Sequence, residues 1–154
     1  MNSLIVYFSK FGNTYKIAET IANSFTNHGD VRTIGFNELQ EDDFKRLDLL
    51  VIGSPTHNMN LPKAVKPILE SIPKRTLPGT PTAVFDTSYK MSRVLNNFTA
   101  SKRLAAKLRK IGGKLVVHPE IFHVTGREGP LYEGEMERAQ EWAAAILMKL
   151  EGNS

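Results

Sequence analysis

Apolar residues along the chain fall into two kinds of segment that alternate with one another. Residues 4–8 form an unbroken apolar run of strand length, and residues 47–52 are nearly all apolar. Runs without polar alternation are typical of strands that are covered on both faces. The predicted strands are residues 4–8, 31–36, 47–52, 82–85 and 114–118, with 121–124 as a candidate continuation after Pro119.

Between these strands, apolar residues recur at three- or four-residue spacing, which predicts helices with one buried face. The final helix is predicted over about residues 132–150, and its inward face to consist of Met136, Ala139, Ala143, Ile146, Leu147 and Leu150. The other predicted boundaries are Gly29 as the end of the first helix, Pro62 as the start of the second, Thr99 or Ser101 as the cap of the third, and Gly112 as its end.

This alternation of strands and helices predicts an α/β fold with a parallel sheet and helices on both faces. Right-handed crossovers limit such a chain to a few topologies. Five strands in 154 residues favour the strand order 2-1-3-4-5. The chain has no linker or internal repeat, so residues 1–154 are predicted to form one domain.

The composition excludes several kinds of site. The chain has no cysteine, which removes disulfides, iron–sulfur clusters and a thiol nucleophile within it. Its four histidines lack metal-ligand spacing, so we expect no metal. There is no signal-peptide pattern and no apolar stretch approaching roughly 20 residues. We therefore expect a cytoplasmic protein that binds no membrane.

Three polar loops follow strands one, three and four of the predicted sheet. They are residues 9–14, 53–62 and 86–92, and all are rich in hydroxyl, amide and small side chains. In this topology the carboxyl ends of these strands are neighbours, at the place where ligands bind. The first loop leads into a helix N-terminus, which favours an anion such as phosphate. The alternative is that Asn13 and Thr14 only cap this helix.

The three loops resemble the flavin loops of the flavodoxin family. Ser9, Gly12 and Thr14 match the family's [ST]-x-x-G-x-T phosphate loop, and the segments 52–57 and 86–89 are similar to its second and third loops. The resemblance covers essentially the whole chain and implies a flavodoxin-like three-layer sandwich that holds FMN non-covalently. The implied FMN-binding residues are Ser9, Lys10, Phe11, Gly12, Asn13, Thr14, Ser54, Pro55, Thr56, His57, Asn58, Asp86, Thr87, Ser88 and Tyr89, with Tyr89 as the plate against the ring.

Three features depart from the family's pattern. His57 stands where flavodoxins often place a large aromatic residue, and Phe85 stands where many relatives have glycine. The family's small carriers are usually acidic, whereas this chain has a net charge of +4. Fewer carboxylates near the flavin favour its anionic reduced form, so we expect it to be reduced more easily than in those carriers.

The resemblance leaves three functions open. The first is an FMN-dependent electron carrier between protein partners, which we favour. The second is an enzyme that transfers electrons from NAD(P)H to quinones, and His57 in place of a larger ring favours it slightly. The third is a binding module that has lost FMN. A response-regulator receiver is excluded, because Ser9, Lys10, Gly53 and Ser54 stand where its acidic residues are required. The oligomeric state stays open.

Two further segments have less specific patterns. The third predicted helix carries Lys102, Arg103, Lys107, Arg109 and Lys110. We interpret them as a solvated helix face rather than a docking patch for an acidic redox partner or nucleic acid, and expect no nucleic-acid partner. The segment 126–131 contains two glycines and a proline. It is expected at the ligand edge as a lid, a subunit contact or a plain connection.

Overall fold

One parallel sheet organises the computed structural model, which describes residues 1–57, 59–90 and 99–152. The described residues form six strands: β1 (Asn2–Tyr7), β2 (Asp30–Gly35), β3 (Leu49–Pro55), β4 (Pro81–Ser88), β5 (Lys114–Leu115) and β6 (Glu120–His123). The strand order β2-β1-β3-β4-β5 confirms the predicted topology and the flavodoxin-like α/β class.

The predicted fifth strand is divided into two. β5 pairs with the start of β4, at Pro81 and Thr82, whereas β6 pairs with its end, from Phe85 to Ser88. Pro119 lies between them and has no N–H to donate to a ladder, which accounts for the interruption. The sixth strand therefore continues along the same edge of β4 and extends the sheet toward the predicted ligand edge.

The helices form two layers, one on each face of the sheet. They are α1 (Asn13–Phe25), α2 (Lys66–Ser71), α3 (Ala100–Lys110) and α4 (Glu135–Gly152). α1 and α4 pack on one apolar cluster that includes Ile5, Val51 and Phe85. α2 and α3 pack on a second cluster that includes Leu4, Leu50 and Val84. Side chains alternate across each strand, so both faces are buried, as the unbroken apolar runs predict.

Two helix predictions were wrong in detail. α2 begins at Lys66 and not at Pro62, because a helix that began at Pro62 would bring the ring of Pro67 against the carbonyl of Lys63. In α4, Met136 is 37% exposed and not inward-facing, whereas Trp142 is buried although it was not predicted to be.

Phe85 does not face the loops at the end of its strand. It is fully buried among Phe122 and Trp142, with ring centroids 5.8 and 6.0 Å away. Its register partner on β3 is Gly53, and a Cβ at that position would overlap the Phe85 ring. The phenylalanine that departs from the family's pattern is thus accommodated in the core by a glycine on the neighbouring strand.

No helix of the described residues is both long and apolar enough to cross a bilayer. In the same part of the chain, no group of three acidic or histidine side chains is placed to hold a metal ion.

Candidate functional site

A cavity of about 390 Å³ lies at the carboxyl ends of β1, β3 and β4. Its size is within the range of small-molecule and cofactor sites. Eleven of the fifteen predicted site residues line it, from all three loops. They are Ser9, Lys10, Phe11, Asn13, Thr14, Pro55, Thr56, His57, Thr87, Ser88 and Tyr89.

Four predicted residues are placed differently. Ser54 and Asp86 are fully buried in the strands behind the cavity and do not line it. Gly12 lies just before α1 and contributes backbone alone, and Asn58 lies outside the described residues. Val124 and Arg127 line the cavity but were not predicted individually. Val124 ends the candidate strand continuation 121–124, and Arg127 belongs to the segment 126–131, which carried only the glycine and proline signal of a fixed loop.

The first loop presents free backbone donors to the cavity. Gly12, with φ of 91°, is the residue from which α1 begins. The Ser9 hydroxyl accepts hydrogen bonds from the Gly12 and Tyr15 N–H groups at 3.1 and 3.3 Å. Within the described residues no acceptor takes the N–H of Asn13 or Thr14. Free N–H groups at a helix N-terminus are the donors that an anion requires.

Side-chain hydrogen bonds fix the relative positions of the loops. The hydroxyls of Thr14 and Thr87 are 2.8 Å apart and buried, which joins the first loop to the third. Asn13 Nδ2 donates to the Glu128 carbonyl at 3.1 Å, which joins the first loop to the segment that carries Arg127. Thr56 Oγ1 accepts from the Ala100 N–H at 2.9 Å. The cavity walls are therefore held by cross-links between elements far apart in sequence.

The second loop is closed by a pair of backbone hydrogen bonds. The N–H of His57 donates to the Asn60 carbonyl at 2.8 Å, and the Asn60 N–H donates back at 2.9 Å. The His57 ring is half-buried and meets the edge of Phe8. Partial burial, followed by the positive charges of Lys10 and Arg127, lowers the pKa of His57 below its ordinary value. His57 is accordingly neutral at pH 7 and can donate one hydrogen bond.

The charges and exposed groups of the lining have a consistent character. Lys10 and Arg127 are exposed cations at the cavity, and the residues described around it include no carboxylate. Tyr89 leaves 49% of its surface exposed there. The Ser88 hydroxyl is buried and has no hydrogen-bond partner among the described residues. The lining thus offers an aromatic surface, free donors and net positive charge to an anionic, partly flat ligand.

Asp86 supports the site from behind. One carboxylate oxygen accepts the N–H of Ser101 at 3.0 Å in the first turn of α3. The other has no partner in hydrogen-bonding geometry, although the hydroxyls of Ser101, Thr99 and Ser88 lie near enough to favour the charged form. Burial outweighs them and raises the pKa of Asp86 above its ordinary value.

We expect Asp86→Asn to stabilise the apoprotein at neutral pH. The folded pKa of Asp86 is above the unfolded one, so its contribution to stability is most favourable below the unfolded pKa of about 3.9 and is lost as pH rises through the folded value. Asparagine keeps an oxygen for the Ser101 N–H and removes the charge. Thermal unfolding should show a higher Tm for the variant at pH 8 and no difference near pH 3.

Asp86→Ala is the control for the hydrogen bond, because it removes both the charge and the acceptor. It leaves the Ser101 N–H without its partner, at a typical cost of about 1 kcal/mol for a lost helix cap. We expect the charged, buried Asp86 carboxylate to lower the stability of the folded protein at pH 8. A Tm of Asp86→Asn below that of the wild type at this pH would contradict that expectation.

Comparison with known proteins agrees with this fold. The Flavodoxin domain family matches residues 4–150, and the chain belongs to that family. A flavodoxin from the domain Archaea is 22% identical, with a TM-score of 0.77 over 98% of this chain and 99% of that one. Flavodoxin 2 from Bacillus cereus is 23% identical, with a TM-score of 0.79 over 97% and 99%.

One larger structure contains the same fold as a part. The rubredoxin oxygen:oxidoreductase of Desulfovibrio gigas is 21% identical, with a TM-score of 0.76 over 98% of this chain but 36% of that one. No curated protein matches the chain in sequence. At these identities the structural likenesses establish the fold, and the function must be argued from the site.

Proposed function

We propose that the protein binds FMN in this cavity and carries electrons between protein partners. The observation that carries the proposal is the part of the lining that the structure describes: free helix N-terminal N–H groups and two cations, without a carboxylate, lie in one cavity with an exposed tyrosine. FMN has the matching parts, a phosphate dianion and a flat aromatic ring. A cytoplasmic location and a one-domain organisation stay predictions.

The first loop is the proposed phosphate site. Its donors are the N–H groups of Asn13 and Thr14, assisted by the positive end of the α1 dipole. Lys10 adds a positive charge, which attracts the phosphate without requiring one exact hydrogen-bond geometry. The Asn13 amide and the Thr14 hydroxyl are engaged with Glu128 and Thr87. Their proposed role is to hold the loop in shape.

The third loop and His57 are the proposed ring site. Tyr89 offers an aromatic face, and neutral His57 offers a donor to a polar ring edge. The bound flavin supplies the redox chemistry, and the protein supplies its orientation, its local charge and the exclusion of water. No side chain of the described lining has to act as a nucleophile.

The alternative, electron transfer from NAD(P)H to a quinone, is supported by one feature. The two cations at the cavity, Lys10 and Arg127, suit a second anionic molecule as well as the FMN phosphate. Stopped-flow mixing of the FMN-loaded protein with NADPH separates the two functions. For a carrier, we expect NADPH not to bleach the flavin absorbance, with or without quinone. Bleaching as fast as an enzyme turns over would favour the alternative.

We expect Gly12→Ala to weaken FMN binding by about tenfold while leaving riboflavin binding nearly unchanged. A Cβ at Gly12 meets nothing within 4 Å, so the effect arises from the positive φ alone, which costs about 1–2 kcal/mol for an L side chain. The loop then either strains or loses the shape that holds phosphate. Fluorescence-quenching titrations with the two flavins measure this difference.

Gly79→Ala is the matched control. Gly79 also has a positive φ and no atom within 4 Å, but it precedes β4 at the opposite edge of the sheet. It should lose similar stability without a change in the affinity for FMN. Equal loss of FMN and riboflavin binding in Gly12→Ala would place the phosphate elsewhere.

A further inference from the structure

The positive charge of the protein is concentrated in one helical layer. The segments 59–80 and 99–113, which contain α2 and α3, hold nine basic residues and one carboxylate, Glu70. The chain has 20 basic and 16 acidic residues, so this layer has a formal charge of +8 and the remainder −4. The molecule is therefore strongly polarised, although its net charge is only +4.

In the part of the chain that the structure describes, the cations of this layer have no carboxylate partners. Those of the α2 segment are Lys63, Lys66, Lys74 and Arg75, and those of α3 are Lys102, Arg103, Lys107, Arg109 and Lys110. Eight are exposed, and none forms an ion pair within the described residues. The described salt bridges all involve carboxylates outside the layer. Internal pairing therefore does not explain this concentration of charge.

Helix energetics explains some of these positions and not others. Lys107, Arg109 and Lys110 lie in the last turn of α3, where cations are favourable. Lys102 and Arg103 lie in the first turn of the same helix, where the dipole disfavours them. That turn has no acidic residue at all. The first pair therefore lowers the stability of α3, and a role outside the fold accounts better for it.

These unfavourable cations lie beside the candidate site. The first turn of α3 is hydrogen-bonded to Thr56, which lines the cavity, and to Asp86, directly behind it. Lys63 and Lys66 occupy the corresponding position before and at the start of α2, after the second cavity loop. α2 and α3 follow the neighbouring strands β3 and β4 and pack on the same apolar cluster, so the four residues lie on the same side of the sheet at the end where the cavity opens, and we call them the rim cations.

We propose that the rim cations are the docking surface for an acidic protein that exchanges electrons at the cavity. The electron-transfer part of this proposal rests on the proposed function, whereas the binding part does not. Helices that share one layer lie at least about 8–10 Å apart, so charges on both helices extend beyond one carboxylate or phosphate group and suit an extended carboxylate-rich surface. Such complementarity mainly accelerates encounter and fixes orientation.

A protein partner fits this surface better than nucleic acid does. The large exposed apolar side chains of the described residues are Phe11, Tyr15, Tyr89, Tyr132, Met136 and Met148, and none lies in the basic layer. Stacking of unpaired bases therefore has no platform there. A redox protein that docked on this surface would also lie close to the proposed electron-transfer cavity.

Calorimetric titration at low ionic strength tests the proposal, with an acidic [2Fe–2S] ferredoxin as the probe. Lys102→Glu with Arg103→Glu should weaken binding at least tenfold, and its new carboxylates suit the start of α3, so the variant should fold. The control is Lys114→Glu with Lys149→Glu, which changes the net charge equally at the opposite end of the strands and should alter affinity less than twofold. Apoprotein and FMN-loaded protein should behave alike, so a failure to bind FMN leaves this test intact.

Two results would overturn the proposal. Equal weakening by both double variants would mean that only net charge matters. Preferential binding of a 20-base-pair DNA duplex or of phosphatidylserine vesicles over the ferredoxin, lost in the α3 variant, would assign the surface to those partners instead. Stopped-flow electron transfer between the FMN-loaded protein and the reduced ferredoxin should follow the same order of variants and slow with added salt.

Discussion

Replacing Lys10 and Arg127 by glutamine should lower the reduction potential of the bound flavin. Among the described lining residues, these two side chains are cations and none is a carboxylate, and reduction places negative charge on the flavin. Removing nearby positive charge disfavours the reduced anion. Since both side chains are exposed and screened, we expect a decrease on the order of 50 mV for a one-electron step.

The measurement is a spectroscopic redox titration at saturating FMN, because the same change should also weaken binding of the phosphate. Lys114→Gln with Lys149→Gln is the control, since it removes two positive charges at the far end of the strands. Its potential should match that of the wild type. A wild-type reduction potential as low as that of strongly acidic carriers, unchanged in the double variant, would show that these cations do not act on the flavin.

Gly53→Ala should cause the largest loss of stability among single substitutions near the site. The added Cβ would overlap the Phe85 ring, which is fully buried between Phe122 and Trp142 and cannot move into solvent. Overpacking of a rigid core costs about 3 kcal/mol in the severe cases. Chemical unfolding should measure this loss of free energy. Because a loss of 1 kcal/mol lowers the Tm by about 2–4 °C in a chain of this size, thermal unfolding should show a decrease in Tm of roughly 10 °C.

A double variant isolates the cause of this loss. Phe85→Leu alone should be mildly destabilising, but combined with Gly53→Ala it should recover part of the stability, because the smaller side chain makes room for the Cβ. Gly152→Ala, where a Cβ meets nothing, should be neutral. Additive effects of the Gly53 and Phe85 substitutions would contradict the packing described for this pair.

Much of the fold could be predicted because the buried strands have no polar alternation. Their order along the chain and the right-handed crossovers then predicted that three loops meet at one edge of the sheet. Pro119 was visible in the sequence, but the pairing of both β5 and β6 with β4 depends on register, which periodicity does not determine. The same limit applies to Gly53 and Phe85, since their contact follows from cross-strand pairing.

Residues were placed at the cavity by the sequence where a motif existed, and were missed where only a general loop signal did. The predicted binding residues line the cavity, apart from Gly12, Ser54, Asp86 and the undescribed Asn58, and their role in binding stays a prediction. Arg127 enters it from a loop that the Asn13 amide joins to the first loop, 115 residues away in sequence. A long-range hydrogen bond of this kind has no local pattern.

The basic helix illustrates a different limit. Its residues were interpreted as a solvated face, which suits the last turn of α3. The position of Lys102 and Arg103 in the first turn, beside the cavity, became clear only from the start of the helix and its hydrogen bonds to Thr56 and Asp86. The sequence favoured a solvated face, and the position of these cations relative to the helix end is the observation that supports the docking proposal instead.

The binding of FMN is the claim on which the account depends, and a fluorescence-quenching titration of the apoprotein measures it directly. We expect one FMN per chain, with riboflavin bound at least about tenfold more weakly, because the free N–H groups of the first loop contribute charge-assisted hydrogen bonds to the phosphate alone. No quenching of FMN at micromolar protein, or equal affinity for the two flavins, would contradict the proposed site.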